Sequence, residues 1–306
     1  MKILTSPSSF GQITTEPFDL LTGAGYEVIN NPFGRKLTED EVLDIAKECV
    51  GIVAGVEPLT ARVMDGLPAL KCISRVGIGM DSVDLEYAKQ KGIIVTNTPD
   101  GPTRAVAELT LAMTLSLLRR IPQADAALKN RQWKKQTGNL IFNKVIGVVG
   151  LGRIGRMVSG FFRGIGNPVI GFDPYSDIAW SEQAGVKLVD FETLLKTADI
   201  ITLHVPGNTD KTFVIGAKEF ELIKSSALLI NISRGGIVDE AALFNALSTK
   251  KLGGAAIDVF SEEPYTGVLC DLDNVVLTPH LGSYAEEGKL LMEIDAVNNL
   301  LNALKN

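Results

Sequence analysis

Short apolar runs alternate with amphipathic stretches along the whole chain. In the first hundred residues the apolar runs are KILTSP, YEVIN, GIVAG, LKCISRVG and IIVTNTP, separated by helix-like segments such as TEDEVLDIAKECV. A second series of apolar runs follows at residues 145–150, 168–173, 198–206, 226–233, 253–260 and 274–280. This alternation is typical of βαβ units and parallel sheets. We therefore predict an α/β fold of two Rossmann-like or flavodoxin-like parallel-sheet domains separated by a cleft.

The junction of the two series is predicted from one unusual helix. Residues 103 to 119, TRAVAELTLAMTLSLLR, are apolar on nearly every side, which is typical of a buried helix. The preceding NTPDGPTR holds two prolines and a glycine, where we expect the chain to leave the first unit. The last amphipathic stretch could pack against either unit. With SYAEEG as a return crossing, we predict a first domain of residues 1–97 plus 284–306 and a second domain of residues 98–283.

Composition excludes several classes of protein. The chain has 306 residues, 45% hydrophobic and 22% charged, which suits a globular protein with two cores. No apolar run reaches the roughly 18 residues of a membrane span, and the N-terminus lacks a signal-peptide pattern, so we expect a cytoplasmic protein without membrane contact. The net charge of -6 argues against nucleic acid as a partner. Three cysteines without metal-ligand spacing predict neither a disulfide framework nor a metal site.

A glycine loop predicts dinucleotide binding. VIGVVGLGRIGRMV carries Gly150, Gly152 and Gly155 in the pattern G-x-G-x-x-G, after a β-branched run and before a helical stretch. The glycines allow a tight turn, close approach of a pyrophosphate and close helix packing. Asp173 ends the next predicted strand, where its carboxylate can bind the adenosine ribose hydroxyls and would repel a 2′-phosphate. We therefore predict NAD rather than NADP; a solvated turn aspartate before Pro174 is the alternative for Asp173.

Three further motifs follow predicted strands: NISRGGIVDE with Arg234, AIDVFSEEP with Asp258, Glu262 and Glu263, and LTPHLG with His280. Ligands of open α/β sheets bind outside the carboxyl ends of the strands, so these residues can converge. Hydride transfer to a 2-keto acid needs a cation for the carboxylate and an acid/base for the hydroxyl proton. Arginine and histidine suit these roles, and a carboxylate could orient the imidazole. The residues alone do not separate Glu262 from Glu263.

Together, VGLGRIG, NISRGGIVDE, DVFSEEP and NVVLTPHLG resemble the motifs of the D-isomer-specific 2-hydroxyacid dehydrogenase family, most closely its 3-phosphoglycerate dehydrogenase branch. The resemblance implies Arg234 for the substrate carboxylate and carbonyl, Glu263 as the partner of the histidine, and His280 as acid/base. It also implies that Asp258 holds the nicotinamide carboxamide. The implied reaction interconverts a D-2-hydroxy acid and its 2-keto acid.

The same resemblance extends the predicted site. The implied cofactor-binding residues also include Arg153, Ile154, His204 and Pro206, with His204 lining the cofactor and carrying no proton. In the first domain, CISRVGIGMDSVD resembles the family's substrate loop, where backbone N–H groups of Val76 and Gly77 would form a nest for the carboxylate. Arg75 is placed to meet a second anionic group, and Asn97 matches a position near the substrate. A plain glycine turn is the alternative for this loop.

Substrate and partner are less closely defined. The resemblance favours 3-phosphoglycerate, a small anionic substrate, and implies a homodimer; glyoxylate, hydroxypyruvate and lactate-type acids are the runners-up. Formate dehydrogenases carry glutamine where Glu263 stands, which counts against that branch. An NAD(H)-sensing binding protein is the non-enzymatic alternative. Gly207 and Asn208 replace the usual leucine-threonine pair after Pro206, a departure that bears on the contacts with the adenine side of the cofactor. No regulatory extension follows the last helix, so we expect no allosteric control.

Overall fold

Two units, each built on a parallel sheet, make up the chain. The computed structural model describes residues 1–207 and 214–305. One unit comprises Met1–Pro102 and Ser283–Asn306, and the other Thr103–Gly282. The predicted fold class, α/β with two parallel-sheet domains, is confirmed.

Unit 1 contains a five-stranded sheet of order β2-β1-β3-β4-β5, the flavodoxin-like arrangement. All its pairings are parallel. Its elements are β1 (Lys2–Thr5), α1 (Glu16–Gly23), β2 (Glu27–Asn30), α2 (Glu39–Ile45), β3 (Cys49–Ala54), α3 (Ala61–Gly66), β4 (Cys72–Arg75), α4 (Leu85–Lys91), β5 (Ile94–Asn97) and the terminal helix α12 (Glu286–Lys305).

The terminal helix α12 packs against the sheet of unit 1. Ala296, Val297 and Leu300 are fully buried with residues of β1, β3 and β4. A Cβ at Gly51 would lie 3.0 Å from Cδ1 of Leu300. Glycine in the middle of β3 therefore leaves room for the helix to approach the sheet.

Unit 2 contains a seven-stranded parallel sheet of order β12-β11-β10-β9-β6-β7-β8. A buried helix precedes it: Val106, Met113 and Leu117 of α5 lie in its core, as predicted for an apolar helix. The elements are α5 (Asp100–Arg119), which begins in the last residues of unit 1, α6 (Ile121–Lys129), β6 (Ile146–Val149), α7 (Arg153–Gly164), β7 (Val169–Phe172), α8 (Ile178–Ala184), β8 (Lys187–Leu188), α9 (Phe191–Thr197), β9 (Ile200–Leu203), α10 (Ala217–Leu222), β10 (Leu228–Asn231), α11 (Glu240–Ser248), β11 (Gly254–Ile257) and β12 (Val275–Leu277).

The strands of unit 2 are short and buried, and their carboxyl ends carry the chemical groups. Strands β9, β10 and β11 are buried at every position, because helices cover both faces of a doubly wound sheet. The glycine loop follows β6, Arg234 follows β10, Asp258 follows β11 and His280 follows β12. No helix within residues 1–207 and 214–305 is long and apolar enough to cross a membrane.

Candidate active site

His280 and Glu263 form a hydrogen-bonded pair in unit 2. Nδ1 of His280 lies 2.8 Å from Oε2 of Glu263, and both side chains are partly exposed. The other carboxylate oxygen of Glu263 accepts a hydrogen bond from the Phe260 N–H at 3.1 Å, which fixes the carboxylate on its own loop. Of the two candidate glutamates, Glu263 is therefore the one bonded to His280. The bond at Nδ1 leaves Nε2 of the ring as the atom that can meet a substrate.

Asp258 holds the loop that carries His280. Its carboxylate is fully buried and accepts hydrogen bonds from Thr278 Oγ1 at 2.5 Å, Leu281 N at 2.7 Å and Gly282 N at 2.8 Å. The backbone N–H of His280 donates to the Asp258 carbonyl at 2.8 Å. These bonds flank His280, whose φ of 56° is a left-handed conformation that costs energy for a non-glycine residue. Asp258 is therefore a positioning residue for the imidazole.

Burial raises the pKa of Asp258, and the three hydrogen bonds and the nearby His280 act in the opposite direction. A buried carboxylate of this kind is tolerated only when donors satisfy it, as they do here. The predicted contact of Asp258 with the nicotinamide carboxamide stays a prediction. Its positioning of the loop is a role that the sequence reasoning missed.

Arg234 follows β10 on a loop packed against the Glu263 loop. A Cβ at Gly235 would come within 1.9 Å of the Phe260 carbonyl oxygen, so only glycine permits this close approach of the two backbones. Arg234 is half-buried, and its Nη1 donates to the Ser233 carbonyl at 2.8 Å. A Cβ at Gly207 would lie 3.5 Å from Cγ of Arg234, so the segment after β9 borders the same side chain. Asn208 lies outside the described residues.

The glycine loop has the shape that a pyrophosphate requires. Gly150 has φ of 91°, and a Cβ there would meet the His204 carbonyl oxygen at 2.4 Å. A Cβ at Gly155 would meet the Gly150 carbonyl oxygen at 1.9 Å, so the helix packs directly on the turn. Gly152, at the N-cap of α7, faces open space, and no side chain caps the helix. The N–H groups of the first turn and the helix dipole favour an anion here.

Asp173 lies beside this loop. It follows β7 and is half-buried; its Oδ2 accepts from Leu151 N and its Oδ1 from Tyr175 N, both at 2.8 Å. Each oxygen keeps acceptor capacity for a ribose hydroxyl. The open cradle at Gly152 and the tethered carboxylate of Asp173 fit a dinucleotide. Arg153 and Ile154, also predicted to contact the cofactor, are the first two residues of α7.

His204 is an uncharged residue at the end of β9. Its Nε2 lies 2.8 Å from Thr202 Oγ1, whereas Nδ1 is buried without a hydrogen-bond partner among the described residues. Burial lowers the pKa of His204 to about 3. The ring is therefore neutral at physiological pH and unsuited to carrying a proton. Pro206, two residues on, is exposed.

The substrate loop in unit 1 departs from the prediction. Val76 N donates to the Ala54 carbonyl at 2.8 Å, and Gly77 N donates to Thr98 Oγ1 at 2.7 Å. Both donors of the predicted nest are therefore occupied, because the chain continues the β4 ladder beyond Arg75 before it turns. Asn97 orders this loop from β5, since its Nδ2 donates to the Ile78 carbonyl at 2.9 Å.

The three cysteines are not among the candidate site residues described above. The structure records Cys49 and Cys72 as buried free thiols and Cys270 as an exposed one. Within the described part of the chain no cluster of three or more His, Cys, Asp or Glu side chains could hold a metal.

A cavity of about 510 Å³ borders the Glu263–His280 pair and is lined largely by neighbouring apolar side chains.

The geometry of unit 2 is that of a dinucleotide-binding α/β protein with an imidazole–carboxylate pair. Residues 111–282 match the family model described as D-isomer specific 2-hydroxyacid dehydrogenase, NAD binding domain. The chain therefore belongs to this family, as its motifs predicted, and NAD is its cofactor.

Relatives extend this likeness over the chain. The chain is 43% identical to a D-3-phosphoglycerate dehydrogenase of Methanocaldococcus jannaschii over 83% of the chain's own length. It is 37% identical to one of Archaeoglobus fulgidus over 100% of that length. These alignments cover 49% and 58% of the two relatives, so the chain spans about half of their length. The crystal structure of the TT0316 protein from Thermus thermophilus matches with a TM-score of 0.89 at 33% identity, covering 100% of this chain and 97% of that one.

Proposed function

We propose that the chain is an NAD-dependent oxidoreductase that interconverts a D-2-hydroxy acid and its 2-keto acid by hydride transfer. The observation that carries this proposal is the 2.8 Å bond between His280 Nδ1 and Glu263, on a loop held by the buried carboxylate of Asp258. An acid/base oriented at one ring nitrogen, with the other nitrogen left for a substrate, is what reduction of a ketone to an alcohol requires.

His280 moves the proton in this proposal. With Nδ1 held by Glu263, the protonated ring donates from Nε2 to the substrate carbonyl oxygen during reduction and takes the proton back during oxidation. Glu263 stabilises the ring in its charged form and fixes its orientation, as the carboxylate of a catalytic triad does. NAD, when bound, supplies or accepts the hydride.

Arg234 binds and polarises the substrate. Its guanidinium presents a planar fork that suits a carboxylate, and its charge stabilises the negative charge that develops on the carbonyl oxygen. The close packing of Gly235 on the Phe260 carbonyl supports this assignment, since it ties the arginine loop to the loop of Glu263.

The cofactor residues follow the predicted set. Gly150, Gly152 and Gly155 leave space for the pyrophosphate, and Arg153 and Ile154 supply N–H groups at the start of α7. Asp173 accepts hydrogen bonds from the ribose hydroxyls, and His204, Pro206 and Asp258 line the nicotinamide end.

The first candidate substrate is 3-phosphoglycerate, with 3-phosphohydroxypyruvate as its keto acid, because relatives 37–43% identical bear that name. Glyoxylate, hydroxypyruvate and lactate-type acids are the alternatives. In unit 1, Arg75 binds the substrate in this proposal, and Asn97 orders the loop that follows it. Serine biosynthesis in the cytoplasm is the accompanying cellular context, and the free state of the three cysteines supports a reducing compartment.

A homodimer is the proposed assembly. Five large apolar side chains on α6 and the segment after it are more than half exposed, an unfavourable surface for a monomer: Ile121, Leu128, Trp133, Leu140 and Phe142. Light scattering coupled to size-exclusion chromatography should give twice the chain mass, and Trp133→Ala with Phe142→Ser should shift the mass toward the monomer.

The activity is tested by following NADH oxidation with a panel of 2-keto acids that includes 3-phosphohydroxypyruvate, hydroxypyruvate, glyoxylate and pyruvate. We expect turnover with at least one member of the panel and a preference for NADH over NADPH. Tight NADH binding without turnover of any keto acid would instead identify an NAD(H)-sensing protein.

A further inference from the structure

Unit 1 contains a buried carboxylate that the proposed reaction does not use. Glu57 lies just beyond β3 and is only 2% exposed. Its Oε1 accepts hydrogen bonds from the Ser6 hydroxyl and from Gly55 N, the latter at 3.0 Å. Both donors follow strands, Ser6 after β1 and Gly55 after β3. The carboxylate is therefore fixed at the carboxyl edge of the sheet.

Arg75 stands on the neighbouring strand. It is the register partner of Ala54, and the Val76 N–H donates to the Ala54 carbonyl at 2.8 Å, so the strand ends are side by side. Its guanidinium turns back over the loop, since a Cβ at Gly77 would lie 2.6 Å from Nη1. Burial raises the pKa of Glu57, while the charge of Arg75 is among the influences that lower it. The two charges therefore act on each other.

This edge is where an open α/β sheet binds ligands. The strand order β1-β3-β4-β5 brings Ser6, Glu57, Arg75 and Asn97 to one edge of unit 1. An anionic group that approaches Arg75 there experiences a positive and a negative charge rather than a positive charge alone.

We propose that Glu57 is a specificity-determining residue that opposes Arg75 and so extends the substrate class to 2-keto acids with an uncharged distal group. This inference rests on the proposed dehydrogenase function. A phosphate dianion at the distal position is repelled by the Glu57 carboxylate, whereas a hydroxyl group carries no charge and is not. Glu57 therefore acts on the ratio between phosphorylated and unphosphorylated substrates, and not on the chemical step.

The test compares two keto acids that differ only in the phosphate, 3-phosphohydroxypyruvate and hydroxypyruvate. It is run at alkaline pH, which favours the ionised form of a carboxyl group whose pKa is raised by burial. In Glu57→Gln the amide oxygen still accepts from Ser6 and Gly55, and the buried charge is gone, so we expect a folded protein by circular dichroism. The ratio of kcat/KM for the phosphorylated over the unphosphorylated substrate should rise about tenfold, the size of one unit charge acting through a partly solvated site.

Glu293→Gln is the matched control. Glu293 is also a buried carboxylate of unit 1 that accepts a backbone N–H, from Gly11 at 3.0 Å, but Arg75 is not among the groups that influence it. The same substitution there should leave the substrate ratio within about twofold of the wild type, as expected for sites that do not interact.

A double-mutant cycle separates the two charges. Arg75→Gln alone should lower the ratio, and adding Glu57→Gln to it should raise the ratio again, because the carboxylate repels the phosphate whether or not the arginine is present. An unchanged or lower ratio in Glu57→Gln, with turnover of both substrates intact, overturns the inference and leaves the dehydrogenase function standing. A lack of turnover in the wild type with every keto acid overturns the proposed function and this inference together.

Discussion

Asp258 in unit 2 and Glu57 in unit 1 are the same structural device used for different ends. Each is a buried carboxylate just beyond a strand, and each accepts hydrogen bonds from a hydroxyl and from at least one backbone N–H. Burial raises the pKa of each. The donors of Asp258 come from a segment twenty or more residues away that carries His280. The donors of Glu57 come from neighbouring strand ends, beside Arg75. In the two proposals, Asp258 positions the His280 imidazole, and Glu57 reduces the positive charge that an anionic substrate meets near Arg75.

If the loop held by Asp258 positions His280 as an acid/base, removing the imidazole should have the largest effect on the reaction. His280→Ala should lower kcat for reduction of the best keto acid by on the order of 10²–10⁴-fold, the usual contribution of a general acid. NADH binding, measured by quenching of protein fluorescence, should stay at the wild-type level. Unchanged turnover in this variant would remove the role assigned to His280.

Asp258→Asn tests the positioning role itself. The amide has one acceptor oxygen in place of two, so the N–H of Leu281 or Gly282 loses its partner while buried. We expect the free energy of unfolding to fall by about 1–3 kcal/mol in denaturant titrations. Displacement of His280 should lower kcat by up to about 10²-fold. A loss of stability with unchanged kcat would mean that the carboxylate holds the loop without positioning the imidazole.

The smallest effect is expected at Glu293, a buried carboxylate that neither positions a reacting group nor faces Arg75. Burial raises its pKa, so the folded protein binds this proton more tightly than the unfolded chain does. That contribution is present at pH below the unfolded value, about 4.3, and is lost as pH rises through the folded value. The unfolding free energy of Glu293→Gln should therefore increase relative to wild type between acidic and neutral pH. A difference independent of pH would contradict the assignment.

The fold, and the positions of the candidate site residues just after strands, were largely readable from the sequence because they depend on local patterns. Buried parallel strands appear in the sequence as apolar runs. The glycine loop appears as a fixed spacing of glycines, because a Cβ at Gly150 or Gly155 would clash with neighbouring backbone. The two-residue strand β8 was not predicted, because an edge strand of Lys187 and Leu188 has no apolar run to mark it.

Other features depend on contacts between distant segments. The donors at Val76 and Gly77 were expected to be available to a carboxylate, and the register of β4 with β3 and the hydroxyl of Thr98 decide otherwise. Asp258 was a candidate from the sequence, but its hydrogen bonds with Leu281 and Gly282 join residues more than twenty positions apart and were not predictable. Glu57 carried no motif at all; its burial beside Arg75 appears only when the strands are assembled.

The central claim, that Glu263 orients His280 for proton transfer, is tested most directly by comparing Glu263→Gln with Glu262→Gln under saturating NADH and keto acid. The two glutamates are adjacent and exposed, but only Glu263 is placed 2.8 Å from Nδ1 among the described contacts. We expect kcat to fall by on the order of 10²-fold or more in Glu263→Gln, because a neutral amide no longer stabilises the charged ring, and to stay within about twofold in Glu262→Gln, a surface change. Equal kcat values in the two variants would contradict the claim.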